Sequence, residues 1–250
     1  MTIYAVNGKE PVAAWIPSLD TAGNGTTTLS DSVGSNNGTL TNMDAATDWV
    51  ADTDNGGVRA LDFDGSNDRV VATGIGITSS VFSVSLWVRR TIVGGVFPRF
   101  IDISDGTSTY QILSDDGSGG SGQLTTKHTQ FQAGLTSTKW GTIGNGTWSH
   151  VVTVVNSITG TVSLYLNGVA VSGTAGGVTG SRPAANTLIL GTRTDVSSIT
   201  TLNGRLDDIR IWNQSLDATD AAYLYNSGNG RGRVGSTTIR RQQRSQQIIS

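Results

Sequence analysis

Apolar and polar residues alternate with a period of two along much of this chain. In the segment 82–88 every second residue is apolar, and serine or tryptophan lies between. This pattern is typical of a strand with one face turned to a core. The same alternation runs through 205–213, and the segments 148–155 and 187–191 are rich in residues that favour strands. Many short strands with Gly-containing turns between them predict an all-β fold, a two-sheet antiparallel sandwich.

One turn is specified by its own sequence. Asn167-Gly168 separates the apolar segments 163–166 and 169–171. Both central residues of a type I′ turn need positive φ, which Asn and Gly tolerate. The pair therefore predicts a β-hairpin at this position.

One short helix is predicted after the last strand candidate. Asp217 can cap the segment 218–225, and Gly228 lies just beyond it. A helix of two turns is not stable alone, so we expect it to pack on the sandwich through Ala221 and Leu224.

The composition argues against several classes of protein. The 250 residues carry 17 basic and 19 acidic side chains, without the basic excess that nucleic-acid binding requires. There is no cysteine, so neither a disulfide nor a thiolate metal site can form. No apolar run approaches the roughly 18 residues of a membrane span. The first ten residues do not resemble a secretory signal, so we expect no leader peptide.

The last twenty residues differ from the rest of the chain. This basic tail, residues 231–250, contains no acid and has five arginines: Arg231, Arg233, Arg240, Arg241 and Arg244. Residues 1–230 then hold 12 basic and 19 acidic side chains, about −7 in net charge. A basic tail on an acidic body indicates an arm that attaches the chain to a partner; a solvated, disordered tail is the alternative. We therefore divide the chain into an extension 1–11, a domain 12–230 and the tail 231–250.

Five segments, in order, resemble one family. The strongest is 57–70 (GVRALDFDGSNDRV), and the others are 31–40, 82–88 (FSVSLWV), 148–152 with 164–168 (WSHVV and LYLNG), and 203–213 (NGRLDDIRIWN). Together they resemble the laminin-G-like, concanavalin A-like jelly-roll domains, from about Trp15 to Gly228. The resemblance implies a jelly-roll sandwich of two antiparallel sheets, a fold often used outside cells to bind glycans or proteins. It does not specify a function, because the fold also carries glycosidases and structural domains.

The resemblance also implies a calcium site. Asp31 and Asp207 match acidic positions that in related domains commonly share a structural Ca²⁺ with nearby carbonyls, and Asp68 lies in the matching turn of the family-like segment 57–70. Asp207 has the same parity as Ile209 and Ile211, so we expect it to face inward, where a carboxylate needs a partner. Arg69 or Arg205 is the other candidate partner, and a hydrogen-bond network without metal is the alternative to calcium.

The sequence gives little support for catalysis. A glycosidase of this fold would use two carboxylates, usually glutamates, yet Glu10 is the only glutamate in the chain. Neither His128 nor His150 lies near a nucleophile motif, and we interpret His150 as a packed framework residue. We predict no catalytic residue and rank a glycoside hydrolase third among the functions.

A sugar platform would require an exposed aromatic ring. Five of the six tryptophans lie in or near the family-like segments, and we expect four of them to belong to the core. Trp140 lies in a loop-like stretch outside those segments and is our candidate for ligand contact.

These observations predict a non-enzymatic surface module of a larger assembly. Our first hypothesis is a decoration or head-fibre protein on a phage virion. Its tail would attach to capsid subunits, and its domain would also adhere to cell-surface glycans. The alternative is a carbohydrate-binding or adhesion module of a bacterial extracellular protein. We expect neither nucleic acid nor membrane as partner, and self-association stays open.

Overall fold

A computed structural model of the chain describes residues 4–20, 25–52, 58–91, 97–104, 109–115, 123–126, 138–156, 158–159, 161–173, 187–193, 200–228 and 230. The strands in this part are β1 Ala13–Trp15, β2 Thr28–Leu29, β3 Gly38–Thr41, β4 Trp49–Asp52, β5 Val58–Asp64, β6 Arg69–Thr73, β7 Val81–Arg90, β8 Arg99–Ser104, β9 Thr109–Asp115, β10 Gln123–Thr126, β11 Thr138–Thr142, β12 Trp148–Asn156, β13 Thr161–Leu166, β14 Val169–Val171, β15 Thr187–Leu190 and β16 Asn203–Trp212. One helix, α1 Ala218–Tyr225, follows them and leads into a 3-10 turn at Asn226–Gly228. No described helix is long and apolar enough to cross a membrane.

The strands form two antiparallel sheets, which confirms the predicted sandwich. The first sheet has the order β14-β13-β12-β7-β16-β5-β4, and β1 pairs with β16 beside this path. The second sheet has the order β11-β10-β9-β8-β15-β6-β3-β2. Several neighbouring strands in the middle of the sheets are distant in sequence, such as β7 beside β16 and β6 beside β15, so segments far apart along the chain meet there.

The main core lies between the sheets and uses the predicted alternation. In β7 the apolar residues at 82, 84, 86 and 88 all belong to the core cluster. The intervening Ser83, Ser85 and Trp87 are also buried, at no more than 1% exposed. Both faces of β7 are therefore covered, whereas the alternation predicts one.

The second cover is helix α1 together with residues 4–10. A separate apolar cluster on this outer face joins Val6 to Trp212, Leu216, Ala221 and Leu224. We call this covered outer side of the first sheet the sealed face. The predicted extension 1–11 is thus, where it is described, packed against the domain.

The hairpin and the helix are confirmed. Asn167 and Gly168 have φ of 51° and 79° between β13 and β14, as a type I′ turn requires. Asp217 caps α1 by accepting from the backbone N–H groups of residues 219 and 220. The helix ends on Asn226, which takes the left-handed conformation at φ 50°, rather than on Gly228.

A β-bulge interrupts β16 and moves Asp207. Leu206 and Ile209 both lie in the main core, and the register of the pairing with β7 shifts between Asp207 and Arg210. Asp208 has φ of 51°, and Asp207 pairs with Trp87, whose ring lies on the sealed face. The expectation that Asp207 faces inward with Ile209 is therefore wrong, because the extra residue of the bulge shifts the alternation.

Candidate functional site

Asp31 organises a loop rather than standing open to a ligand. One of its carboxylate oxygens accepts from the N–H groups of Ala14 (3.0 Å) and Val33 (3.1 Å), and the other accepts from that of Asn36 (3.2 Å). The side chain is buried at the start of the loop 31–37. Three backbone donors therefore already use much of the acceptor capacity that a metal would need.

Asp207 and Asp208 hold the bulge of β16. Asp207 is fully buried and accepts from the Ser18 hydroxyl (2.9 Å) and from the Asp208 N–H (2.8 Å). Asp208 forms a buried two-point ion pair with Arg210, at 2.5 and 3.0 Å. Of the arginines proposed as partners of Asp207, Arg205 instead pairs with Asp62, at 3.2 Å.

Asp68 sits under the turn 64–68 and accepts from the N–H of Asp64 at 2.9 Å. Burial, together with the negative charges of Asp64 and Asp48, raises the pKa of Asp68 from 3.8 to about 6, against the opposing effect of that hydrogen bond. The carboxyl therefore has an unusual cost of ionisation at neutral pH.

The three predicted calcium ligands lie in separate hydrogen-bond networks. Among the described residues, no group of three His, Cys, Asp or Glu side chains could hold a metal ion. The structure therefore does not gather Asp31, Asp68 and Asp207 around one shared ion. Calcium binding stays a prediction, which the effect of EDTA on the melting temperature can test.

Trp140 is a core residue and not an exposed platform. It lies in strand β11, is 7% exposed and belongs to the main core cluster. Gly141 beside it leaves room for Val171 and Leu166 of the β13–β14 hairpin, which closes the sandwich at this edge. The expectation of an exposed Trp140 is wrong because the hairpin packs against the end of the second sheet.

The other tryptophans are also framework residues. Trp15, Trp87 and Trp212 are at most 1% exposed and Trp49 is 5% exposed, whereas Trp148 is half-buried. The aromatic rings of the described residues that are largely exposed belong to Phe97 and Tyr223, at 42% and 38%. A planar tryptophan platform is therefore not the basis of any ligand site in the described part of the chain.

His150 is a framework histidine, as predicted. Its Nε2 lies 2.9 Å from the hydroxyl of Ser85, and its ring lies beside those of Trp87 and Tyr225, which also stack on each other. It is 1% exposed on the sealed face, where substrate could not reach it. His128 and the five tail arginines (Arg231, Arg233, Arg240, Arg241 and Arg244) lie outside the described residues.

The outer face of the second sheet differs from the sealed face. Along β3, β6 and part of β15 the alternate residues point away from the core, and most of them are partly or fully exposed. Strand pairing places Thr41 opposite Arg69, and Thr73 opposite Thr187. We call this surface the open face; it consists of Thr39, Thr41, Arg69, Val71, Thr73 and Thr187.

The open face carries hydrogen-bonding groups that the described structure does not use. None of its four threonine hydroxyls makes a hydrogen bond to another described residue. In the same part of the chain, Arg69 makes neither a hydrogen bond nor an ion pair. Half-buried Val71, paired with exposed Thr39, provides an apolar centre between them. Free donors around an apolar patch can bind a polar organic ligand.

Two loops and one covered strand border this surface. The loop 31–37, held by Asp31, lies against one end, since Asn36 is close to Gly74 just after β6. The turn 64–68 lies at the other end, directly before Arg69. On the β8 side the same outer face is covered, because Asp102 there is 0% exposed.

A family model described as the concanavalin A-like lectin/glucanases superfamily matches residues 64–222. The chain belongs to this superfamily. The matched region includes β6, β15 and the bulge of β16, and thus most of the open face. No curated protein sequence matches the chain significantly.

Solved structures show the same superfamily fold at low identity. The sialidase of Trypanosoma rangeli in complex with the inhibitor DANA superposes with a TM-score of 0.65 at 13% identity, over 91% of this chain and 34% of that chain. The receptor-binding domain of a botulinum neurotoxin C/D mosaic serotype gives 0.63 at 14% identity, over 87% and 51%. That of botulinum neurotoxin type G gives 0.62 at 16% identity, over 87% and 51%. The chain thus spans about a third to a half of these proteins.

The open face was not identified from the sequence. Its signal was present as threonines alternating with core residues, at 39 and 41 and again at Thr73 and Thr187. These threonines could not be assigned to one surface from the sequence, because β3, β6 and β15 are neighbours only through the sheet order.

Proposed function

We propose that this chain is a non-enzymatic carbohydrate-binding module that holds its ligand on the open face. The supporting observation is the contrast between the two outer faces. Helix α1 and residues 4–10 cover the outer face of the first sheet along β7, β12 and β16. By contrast, β3 and β6 present hydroxyl groups and one guanidinium around Val71 that no other described residue uses. Sugars offer hydroxyl groups for hydrogen bonds and C–H faces for apolar contact, so this mixture suits them.

Four described carboxylates are used in hydrogen bonds and ion pairs within the fold, which supports a binding role rather than hydrolysis. A glycoside hydrolase requires two carboxyl groups on either side of the scissile bond. Asp31 and Asp207 accept backbone N–H bonds, and Asp208 and Asp220 form buried ion pairs with Arg210 and Lys9. These carboxylates stabilise the fold. A glycoside hydrolase is the alternative function, because the sialidases have the same fold. The sialidase chains, however, are about three times longer than this chain.

The structural neighbours support the fold of this chain but not the identity of its ligand. One neighbour is described as a sialidase in complex with sialic acid, and another as a neurotoxin receptor-binding domain. At 13–16% identity they establish the fold alone, so ligand binding by this chain rests on its own open face.

The test removes hydroxyl groups from the open face without changing its shape. The double variant Thr39→Val, Thr73→Val should weaken binding to an oligosaccharide array about tenfold or more while leaving the melting temperature unchanged, because valine fits an exposed strand position. The matched control is Thr161→Val, an exposed strand threonine on the first sheet. Absence of wild-type binding to any oligosaccharide would contradict the proposal, and release of reducing sugar would favour the hydrolase.

We further propose that the module is displayed on a larger assembly, with a phage virion as the first candidate. The support is the charge contrast between the tail, with five arginines and no acid, and residues 1–230 at about −7. A basic arm of this kind fits an acidic shell of capsid subunits. An inventory of purified particles by mass spectrometry would detect the chain; its presence only in an exported, multidomain protein would favour the bacterial adhesion module.

A further inference from the structure

We infer that Arg69 makes the open face selective for saccharides that carry a carboxylate, such as sugar acids. This inference rests on the proposed function and names the ligand class of the same site. It follows from the way that this chain pairs its basic side chains, from the position of Arg69 on the face, and from the charge of its surroundings.

Arg69 is exceptional among the basic side chains that the structure describes. Arg205 pairs with Asp62, Arg210 with Asp208, and Lys9 with Asp220. The other described arginines and lysines also have hydrogen-bonding or charged partners. Arg69 is half-buried and alone in this set has no such partner among the residues that the structure describes. A half-buried guanidinium without a partner has already lost part of its hydration and gains strongly from an added anion.

The position of Arg69 suits a sugar that rests on the centre of the open face. Val71 is two residues further along β6 on the same face, so the two side chains start about 6–7 Å apart. Thr41 lies directly opposite Arg69, at about 5 Å between Cβ atoms. A pyranose with its C–H face on Val71 can therefore direct a ring carboxylate toward Arg69 and its hydroxyl groups toward Thr39 and Thr41.

The charge of the face favours one isolated anion over a dense polyanion. Arg69 is its single charged residue, and its remaining polar groups are neutral threonines. A highly sulfated chain would need several cations along its path. A planar guanidinium binds a carboxylate through two parallel hydrogen bonds, a geometry that lysine cannot reproduce.

The experiment compares acidic sugars with their neutral forms. Tri-galacturonic acid and 3′-sialyllactose are titrated by calorimetry, each beside its carboxyl-reduced counterpart. Wild type should bind at least one acid about tenfold or more tightly than the reduced form. Arg69→Gln should lose this preference and keep the affinity for the reduced sugar. Arg69→Lys should recover part of it, and Arg205→Gln, which removes an ion-paired arginine from the other sheet, should leave it unchanged.

The possible failures are distinct. Equal affinity of wild type for acidic and reduced sugars, or a preference that persists in Arg69→Gln, overturns the inference and leaves the proposed function standing. Tighter binding of a sulfated oligosaccharide than of both acids also overturns it. Binding of no saccharide at all overturns the proposed function and the inference together. Circular dichroism and melting temperature confirm that each variant is folded.

Discussion

At the scale of single residues, Asp68 links stability to pH. Its pKa is about 6 in the folded protein against 3.8 as the usual value, so folding favours the protonated carboxyl. The contribution is fully present below about pH 4 and is lost as the pH rises through about 6. In buffer with EDTA, Asp68→Asn should therefore be more stable than wild type at pH 7.5, by about 1–3 kcal/mol, and equal to it at pH 4. Thermal unfolding at both pH values measures this; a variant less stable at pH 7.5 would contradict it.

Trp140 provides a second test at this scale. Its ring is 7% exposed in the main core, so Trp140→Ala should cost about 3–5 kcal/mol of unfolding free energy. Urea denaturation gives the value, and Thr142→Ala, an exposed position at the end of the same strand, is the control. A loss of unfolding free energy below about 1 kcal/mol would indicate that Trp140 is exposed and not part of the core.

Calcium is tested through Asp207. If it ligates Ca²⁺, EDTA lowers the melting temperature of wild type, while Asp207→Ala melts lower and does not respond to EDTA. Insensitivity of both proteins to EDTA would instead leave Asp207 as the buried acceptor for Ser18 and for the Asp208 N–H. In that case its replacement still destabilises, because the buried N–H of Asp208 loses its acceptor and the half-buried Ser18 hydroxyl loses one of two.

The sequence itself contains the reason why the inward-facing prediction for Asp207 is wrong. A strict period of two connects Ile209 to Ile211, and extended backward it reaches Asp207. Leu206, however, lies in the core three positions before Ile209, and that odd spacing is the signature of an inserted residue. Asp208 takes a positive φ within this bulge and forms its ion pair with Arg210, two residues further along the strand.

At the scale of elements, helix α1 is anchored by the N-terminal segment. Asp220 accepts from Asn7 at 2.8 Å and forms a salt bridge with Lys9, which also lies 3.8 Å from Asp217. We call these four residues the clasp. Although burial opposes it, hydrogen bonds from Lys9, Asp217 and Asn7 lower the pKa of Asp220 below 3.8. Its contribution is therefore present at neutral pH and lost as the pH falls below about 4.

Breaking the clasp should destabilise the fold in a pH-dependent way. We expect Asp220→Asn to cost about 1–3 kcal/mol at pH 7, and the difference from wild type to shrink below pH 4. Lys9→Met should cost less, because it leaves Asn7 and the N-cap in place. Denaturation of both single variants and the double variant gives the coupling energy. A difference that is independent of pH would contradict the ionic origin.

The hairpin and the helix were predictable because their determinants are local. The φ values of Asn167 and Gly168 follow from those two residues, and the cap of α1 from Asp217. Their contact was not predictable. A Cβ at position 168 would lie 3.1 Å from Ala222 Cα, so the turn packs directly against the helix. Such a contact depends on which face of the sheet the helix covers, and no local pattern specifies that choice.

At the scale of the whole molecule, the tail should serve attachment and not folding. Described residues up to 230 include both sheets and the helix, so deletion of 231–250 should leave the melting temperature nearly unchanged. We expect the truncated chain to lose co-sedimentation with stripped particles. Exposed arginine pairs contribute only about 0–1 kcal/mol each, so about 1 M salt should release the full-length chain only in part if Ile248 and Ile249 also bind. Equal sedimentation of both forms would contradict the attachment role.

The open face shows why the fold was more predictable than the site. The strand periodicity and the family-like segments can be recognised from the sequence alone, and they indicate a sandwich. The open face exists only where β3, β6 and β15 lie side by side, and Thr187 is more than 110 residues from Thr73. The same sheet order places Thr41, and not an acidic residue, opposite Arg69, and that pairing is a property of three-dimensional packing.

The positions of Tyr4 and Gly230 have a practical consequence for handling the protein. Arg210 Nη1 donates to the carbonyl of Tyr4 at 3.2 Å, and Gly230 N–H donates to that of Tyr225 at 3.1 Å. Both ends of the described domain thus lie on the side of the first sheet, and Arg69 lies on the opposite side. A tether joined directly to Tyr4 or Gly230, whether from a sensor chip or from a fused protein, would leave the open face directed away from the support. Coupling of a chain trimmed to residues 4–230 should therefore keep that face accessible.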